Sequence, residues 1–362
     1  MSLLEKIKKN STIKETSVLS KSKFFTNRDV ITTKIPVLNI ALSGKIDGGF
    51  SSGLTMWAGV SKMFKTGFSL LMAKAYMDKY TDSVLMFYDS EFGSPQSYFK
   101  SFGIDLDRVL HVPITDVEQL KFDIMNQLNN IERGEKLIIL IDSIGNLASR
   151  KEVDDALEKK SVADMTRSKQ IKSLFRMITP HLALKDIPMV VINHTYKTME
   201  LYSKDVVGGG TGSYYAADNI YILGRQQEKD GTELSGYNFI INVEKSRFVR
   251  EKSKIPINIS FDNGVSIYSG LLDIALELGF VTKPSNGWYS RVNIETGEVE
   301  ERKFRAKDTN NKEFWEPILS STNFKEAIYT RYAISSHSII TEEQESEEIL
   351  KEFESTEEEI DE

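Results

Sequence analysis

Four stretches of the chain are apolar at nearly every position: Leu54 to Ala58, Ser83 to Asp89, Lys136 to Asp142 and Pro188 to Asn193. Runs this short and continuous predict strands buried on both faces, not half-exposed alternating ones. Val109 to Val112 and Asn219 to Leu223 read as further strands. Between them the apolar spacing is helical. Helices are predicted from Gly67 to Tyr80, from a start at Ser94-Pro95 with Ser as cap, from Asp116 to Arg133 with a stop at Gly134, and from Asp164 to Leu182 with Leu174, Phe175 and Ile178 inward. Strands alternating with helices predict an α/β fold with a mainly parallel sheet flanked by helices. Tyr237 to Val243 and Ile255 to Phe261 read as an antiparallel addition to one edge. Beyond Ser266 the alternation stops. A helix from Leu271 to Leu278, a turn at Pro284-Ser285-Asn286-Gly287-Trp288 and helical patches at Trp315 to Leu319 and Phe324 to Tyr332 predict a small α-rich C-terminal unit. Residues 34–53 read as a helix turn and a glycine-punctuated entry to the first core strand. The expected division is an N-terminal arm or oligomerisation segment over 1–30, a core over 31–265, a small domain over 266–340 and an acidic tail over 341–362. The arm, rich in Lys, Ser and Thr, could dock on a neighbouring subunit or on its own core.

Composition narrows the chemistry. At 362 residues the chain can hold one large core and one or two smaller units. With no cysteine, disulfides, thiolate zinc sites and cysteine nucleophiles are excluded, and four scattered histidines leave no dedicated transition-metal site expected. No apolar run reaches membrane length and the N-terminus lacks an apolar signal core, so no membrane association and a cytoplasmic location are expected. The net charge of −7 is unevenly spread. Residues 341–362 hold twelve Asp/Glu and one Lys, which leaves 41 acids against 45 bases elsewhere. A basic body with an acidic tail fits a polyanion binder whose tail competes for the same surface, and it equally fits a solvated tail that only aids solubility.

The chemistry-bearing stretch is Leu54 to Thr66. An apolar strand ends at Gly59, then come Ser61, Lys62 and Phe64, and Lys65-Thr66 opens a helix. Strand, glycine turn, Lys-Thr and helix is the order of a phosphate-binding loop: backbone N–H groups face phosphate oxygens, the lysine supplies charge and the Thr hydroxyl binds Mg²⁺. Glycine usually stands where Phe64 does, because that position often needs positive φ. A plain strand–turn–helix carrying a surface Lys-Thr is the alternative for this stretch alone. The other buried strands also end in polar groups: Asp89 and Glu91 after the second, Asp142-Ser143 after Leu137 to Ile141, and Asn193-His194 after the Pro188 strand. Ligands of open parallel sheets bind at these carboxyl ends, and Asp142 reads as a Walker B acid that holds Mg²⁺.

The ordered set Ala41-Leu42-Ser43-Gly44, Gly49, Gly53, the phosphate loop, Tyr88-Asp89-Ser90-Glu91, Ile141-Asp142-Ser143-Ile144, Ile192-Asn193-His194 and Gly208-Gly209-Gly210-Thr211-Gly212 resembles a RecA-type recombinase core. It is most similar to the version carried by T-even phages, where Phe also replaces the usual glycine of the loop. The resemblance spans roughly residues 20–335. It implies that Gly59, Lys65 and Thr66 hold the phosphates of ATP and Mg²⁺, with Asp142 as the second metal ligand. It implies Glu91 as general base for the attacking water, Tyr98 stacked on adenine and His194 as the γ-phosphate sensor; Tyr98 read on its own is equally a core aromatic. Lys245 and Arg247 match a basic pair that reaches the ATP of the next subunit, although two solvated strand-end bases would look the same.

Two connections, Gly145 to Met165 and Thr195 to Gly212, are too long for ordinary turns. The second mixes Tyr196, Lys197, Met199, Tyr202 and Lys204 with Gly208, Gly209 and Gly210, a composition suited to single-stranded DNA and also compatible with a plain mobile loop. In the resembled family these are the DNA-binding loops, and Arg150, Lys151 and Arg167 would serve from the first loop and the helix after it. The expected function is an ATP-dependent DNA recombinase that forms filaments on single-stranded DNA, pairs it with a homologous duplex and works with single-strand-binding and mediator proteins. The rivals are a RecA-core helicase or ring motor and an ATP-gated mediator with weak hydrolysis.

Overall fold

The structure, a computed structural model, describes residues 1–22, 24, 29–158, 166–198, 205–230, 232–294 and 296–334. In chain order its first half holds α1 (Leu3–Asn10), α2 (Pro36–Ser43), β1 (Gly53–Ala58), α3 (Lys65–Lys79), β2 (Val84–Asp89), α4 (Gln96–Ser101), β3 (Val109–Pro113), α5 (Val117–Asn130), β4 (Leu137–Asp142), α6 (Arg150–Leu157), α7 (Thr166–Lys185) and β5 (Pro188–Asn193). Then come β6 (Thr195–Lys197), β7 (Asp205–Val207), α8 (Thr211–Ala216), β8 (Asn219–Asp230), β9 (Glu233–Lys245) and β10 (Lys254–Ser260). The C-terminal unit has α9 (Leu271–Glu277), β11 (Val281–Ser285), β12 (Trp288–Arg291), β13 (Phe304–Arg305), α10 (Lys312–Ser320) and α11 (Thr322–Tyr332).

One eight-stranded sheet runs β10-β9-β8-β1-β5-β4-β2-β3. The strands from β8 to β3 are parallel, and β9 and β10 extend the β8 edge antiparallel. Continuous apolar strands are buried twice over. Leu54, Met56 and Ala58 of β1 face the layer of α5 and α7, while Trp57 faces the layer of α3 and the C-terminal unit. The same split divides Ile139 and Ile141 from Ile138 and Leu140 on β4. Helix α5 shows why a sequence stretch becomes a covering helix. The Asp116 side chain caps it at the Gln119 N–H, and Val117, Leu120, Ile124 and Leu128 place one apolar stripe on the sheet.

The structure departs from expectation in the cap of α4 and in the strands of the C-terminal unit. Helix α4 is capped at Pro95 without a side-chain bond, so Ser94 is not its cap. The predicted turn at 284–288 is the hairpin between β11 and β12, and a small sheet with β13 joins the helices of the C-terminal unit. That unit is packed onto the core: the backbone of Ala333 passes so close to Gly44, the left-handed cap of α2 at φ 72°, that a Cβ there would lie 2.7 Å from it. Helix α1 buries none of its residues, and Leu3, Leu4 and Ile7 are exposed, so the arm's first helix is not docked on its own core. The acidic tail over 341–362 lies outside the described residues. Among the described residues no helix is long and apolar enough to cross a membrane.

Candidate active site

The carboxyl ends of β1, β2, β4 and β5 converge because these strands are parallel neighbours; Ala58 is in register with Asn193, and Asp89 with Asp142. The loop after β1 turns directly into α3 at Lys65. Lys65 is buried and folds its ammonium back into the loop, donating to the carbonyls of Gly59 at 3.1 Å and Val60 at 2.8 Å. Burial pulls its pKa down, against the opposing pull of Glu91 and Asp142. The Thr66 hydroxyl donates to Asp142 Oδ2 at 2.7 Å. Burial pushes the Asp142 carboxyl up to about 6, because the Thr66 hydrogen bond and the Lys65 charge do not offset desolvation together with nearby Glu91 and Asp89. A buried carboxylate short of positive charge, touching a hydroxyl, is an all-oxygen donor set suited to Mg²⁺. The phosphate loop, whose ammonium spends two of its three donors on loop carbonyls, likewise fits a polyphosphate.

Glu91 is the other focus. Its Oε1 accepts from the Ser143 hydroxyl at 2.5 Å and lies 3.0 Å from His194 Nε2, and Ser143 Oγ is 3.4 Å from the same nitrogen. The His194 hydrogen bond, joined by Ser143 and Lys65, outweighs burial and holds the Glu91 carboxyl at about 2. Asp89 shapes the approach to it: Oδ1 accepts from the Glu91 and Phe92 N–H groups, and Oδ2 pairs with His111 Nε2 at 3.2 Å. Glu91 therefore projects from a carboxylate-capped turn and stays ionised.

A cleft of about 1290 Å³ joins these parts. Ser61, Lys62, Phe64, Lys65, Thr66, Glu91, Tyr98, Asp142 and His194, all predicted from sequence, line it. Tyr98 packs edge-on against Phe102 at 5.1 Å, and burial and the nearby Asp142 push its phenol up to about 12. Phe64 sits at φ 57°, the left-handed backbone that glycine would take.

Lys245 and Arg247 stand elsewhere. Lys245 donates to the carbonyls of Tyr214 and Tyr215, Arg247 pairs with Asp218 Oδ1 at 2.5 Å, and neither lines the cleft of its own chain. The first long connection contains α6, whose Ser149 and Glu152 form a reciprocal capping box; Arg150 and Lys151 lie in its first turn, half or more exposed. Arg167 is committed: its guanidinium donates to the carbonyls of Ile144, Gly145 and Leu147. The second connection begins as the β6–β7 hairpin with Tyr196 and Lys197 exposed, while Met199, Tyr202 and Lys204 fall outside the described residues. His194 touches both connections. Gly208 N–H donates to its carbonyl at 2.9 Å, and a Cβ on Gly145 would lie 2.6 Å from its ring. Gly209 and Gly210 then turn with φ of 85° and 76°.

Sequence reasoning did not single out Ser143, Arg225, Tyr237, Phe239 or Phe261 as cleft residues. The first touches Glu91, and the other four line the cleft from the far strands and the turn after β10. Only the adjacency of Ser143 to Asp142 was a usable signal, since cross-strand register is invisible along the chain.

Comparison with known proteins accords with this geometry. The family model for the RecA N-terminal domain matches residues 2–266, and the model described as Bacteriophage T4, Recombination and repair protein, C-terminal domain, matches residues 268–328. The chain is 54% identical to a recombination and repair protein of Enterobacteria phage T4 over 94% of its own length and 89% of that protein's. It is 27% identical to Protein RecA of Streptomyces rimosus over 75% of this chain and 71% of that one, and 24% identical to Protein RecA of a Nocardioides species over 60% and 61%. A core and a C-terminal unit matched in succession, with more than half of all positions shared with the phage protein, place the chain in the RecA family.

Proposed function

We propose that the chain is an ATP-dependent DNA recombinase that assembles on single-stranded DNA and exchanges it into a homologous duplex. The observation that carries this reading is the convergence of Lys65, Thr66, Asp142, Glu91 and His194 in one cleft, with His194 in contact with both long loops. Lys65 and the loop N–H groups would bind the phosphates of ATP, and Thr66 with Asp142 would hold Mg²⁺, which when bound neutralises phosphate charge. Ionised Glu91 would take a proton from the attacking water. His194 would pass the presence of the last phosphate to the loops through Gly145 and Gly208. Arg150, Lys151, Tyr196, Lys197, Tyr202, Lys204 and the glycines at 208–210 would meet DNA, with Arg167 shaping the first loop. Lys245 and Arg247 would complete the cleft of the next subunit, as a trans-acting arginine does. The exposed apolar side of α1 would pack between subunits. A cytoplasmic location, work beside single-strand-binding and mediator proteins, and a division into arm, core, small domain and tail complete the reading.

Turnover of ATP with and without single-stranded DNA tests it. The parent should be DNA-stimulated, while Lys65→Ala and Arg247→Ala should each be nearly inactive. Mixing the two variants should restore some activity at junctions where an intact loop meets an intact Arg247. A parent without DNA-stimulated turnover contradicts the enzyme reading. Co-assembled mixtures that stay inactive at every ratio contradict the shared site.

A further inference from the structure

Two non-glycine residues of the phosphate loop stand in left-handed backbone, Lys62 at φ 63° and Phe64 at φ 57°. A side chain is crowded by its own backbone there, which is why glycine is favoured. Such a conformation persists only when surrounding structure imposes it. Each of the two has an external restraint. The Arg225 guanidinium donates to the Lys62 carbonyl at 2.8 Å and lies 4.4 Å from the centre of the Tyr237 ring. The Phe64 ring packs against Phe239 at 5.9 Å, Phe102 at 6.1 Å and Phe68 at 5.4 Å. It also covers Gly67, where a Cβ would lie 2.4 Å from the ring.

The two restraints come from one place. Arg225 on β8 and Phe239 on β9 are direct cross-strand partners, so their side chains leave the same face of the ribbon. Glycine at position 64 would need neither the aromatic packing nor the ribbon behind it.

We propose that Arg225 and Phe239 form a brace that keeps the phosphate loop in its nucleotide-receiving shape, substituting for the conformational freedom that glycine supplies. Both are positioning residues: they act on Lys62 and Phe64, not on the nucleotide. The inference rests on the nucleotide reading of the cleft and adds the parts of the fold that shape it. It also explains how Phe64 is tolerated, because the side chain whose Cβ makes this backbone unfavourable carries the ring that the brace holds.

The test is a set of binding curves for a fluorescent methylanthraniloyl-ATP with Mg²⁺, on the full chain, with thermal melts of the nucleotide-free proteins alongside. Arg225→Ala should weaken binding about tenfold, in line with the loss of one charged hydrogen bond. Its melting temperature should stay close to the parent's, since Arg225 is only part-buried at the cleft wall. Made in a Lys62→Gly background, the same substitution should weaken binding less than about threefold, because glycine holds positive φ unaided. Phe239→Leu should weaken binding in the same way, at a somewhat lower melting temperature because Phe239 is buried in the core, with Phe64→Gly as the background that relieves the binding loss, and this pair decides the matter if Arg225→Ala does not fold. Equal losses in the parental and glycine backgrounds would mean direct contact with nucleotide and would overturn the brace, as would no loss in the parent. A parent that shows no saturable binding would instead overturn the nucleotide reading itself.

Discussion

Glu91 accepts hydrogen bonds from Ser143 and His194 on a single oxygen, and its ionisation follows from that contact. Its carboxyl sits at about 2 against an ordinary 4.5, with the His194 bond the largest cause. A depressed carboxyl adds stability above its unfolded value, and that contribution disappears as pH falls through the folded value. The difference in urea midpoint between the parent and Glu91→Gln should therefore shrink as pH falls from 4.5 toward 2. A difference unchanged between about pH 6 and 3 contradicts the pairing. The same variant should keep nucleotide affinity and lose about 10²–10⁴ in turnover, the usual worth of a positioned base. At this scale the sequence was informative where a residue follows a buried strand: Glu91, Asp142 and His194 could be named from their places after apolar runs. Arg225 could not, because it follows the apolar run Ile220 to Leu223 by two positions and meets the phosphate loop only through the order of strands.

Among elements, buried strands were legible because both faces are covered. Pro188–Asn193 has the bounds that its apolar run predicts, and Leu137–Asp142 differs by one residue. Strands β8 and β9 run well past their predicted ends, since the added residues, 224–230 and 233–236, are mostly polar and extend no apolar run. Helix α6 was missed inside a predicted loop. It buries no residue: its one apolar set, Val153, Ala156 and Leu157 at i, i+3 and i+4, is short and solvent-facing, and the Ser149/Glu152 capping box marks its start. Arg167 belongs to this scale as well. Expected as a DNA contact, its guanidinium instead spans three carbonyls of the first loop. A phosphate contact and a loop tie predict different salt behaviour. Loss of one phosphate contact lowers the salt slope of single-strand binding by about one, whereas loss of a tie lowers affinity and leaves the slope in place. We expect Arg167→Ala to weaken binding at unchanged slope, by fluorescence anisotropy across a salt series, with Arg167→Lys failing to restore it because lysine lacks the planar fork. A slope reduced by about one would return Arg167 to the DNA-contacting set.

The whole molecule places its cleft on one rim of a sheet and the groups proposed for assembly away from it. Lys245 ends β9 and Arg247 follows it, and they are held by Tyr214, Tyr215 and Asp218 of their own chain, outside the cleft that they are proposed to serve. The apolar side chains of α1 are exposed at the other end of the sequence. Both features fit the proposed polymer, whose sites are completed by a neighbour. The measurement that tests this most directly is homologous pairing. Single-stranded DNA coated with the protein is mixed with labelled duplex, and joint molecules are counted with ATP and Mg²⁺. The parent should form them with homologous duplex and not with heterologous duplex, only when nucleotide is present, and Lys65→Ala should form none. Joint molecules formed equally with heterologous duplex or without nucleotide, or none from a parent shown to coat the single strand, would contradict the recombinase.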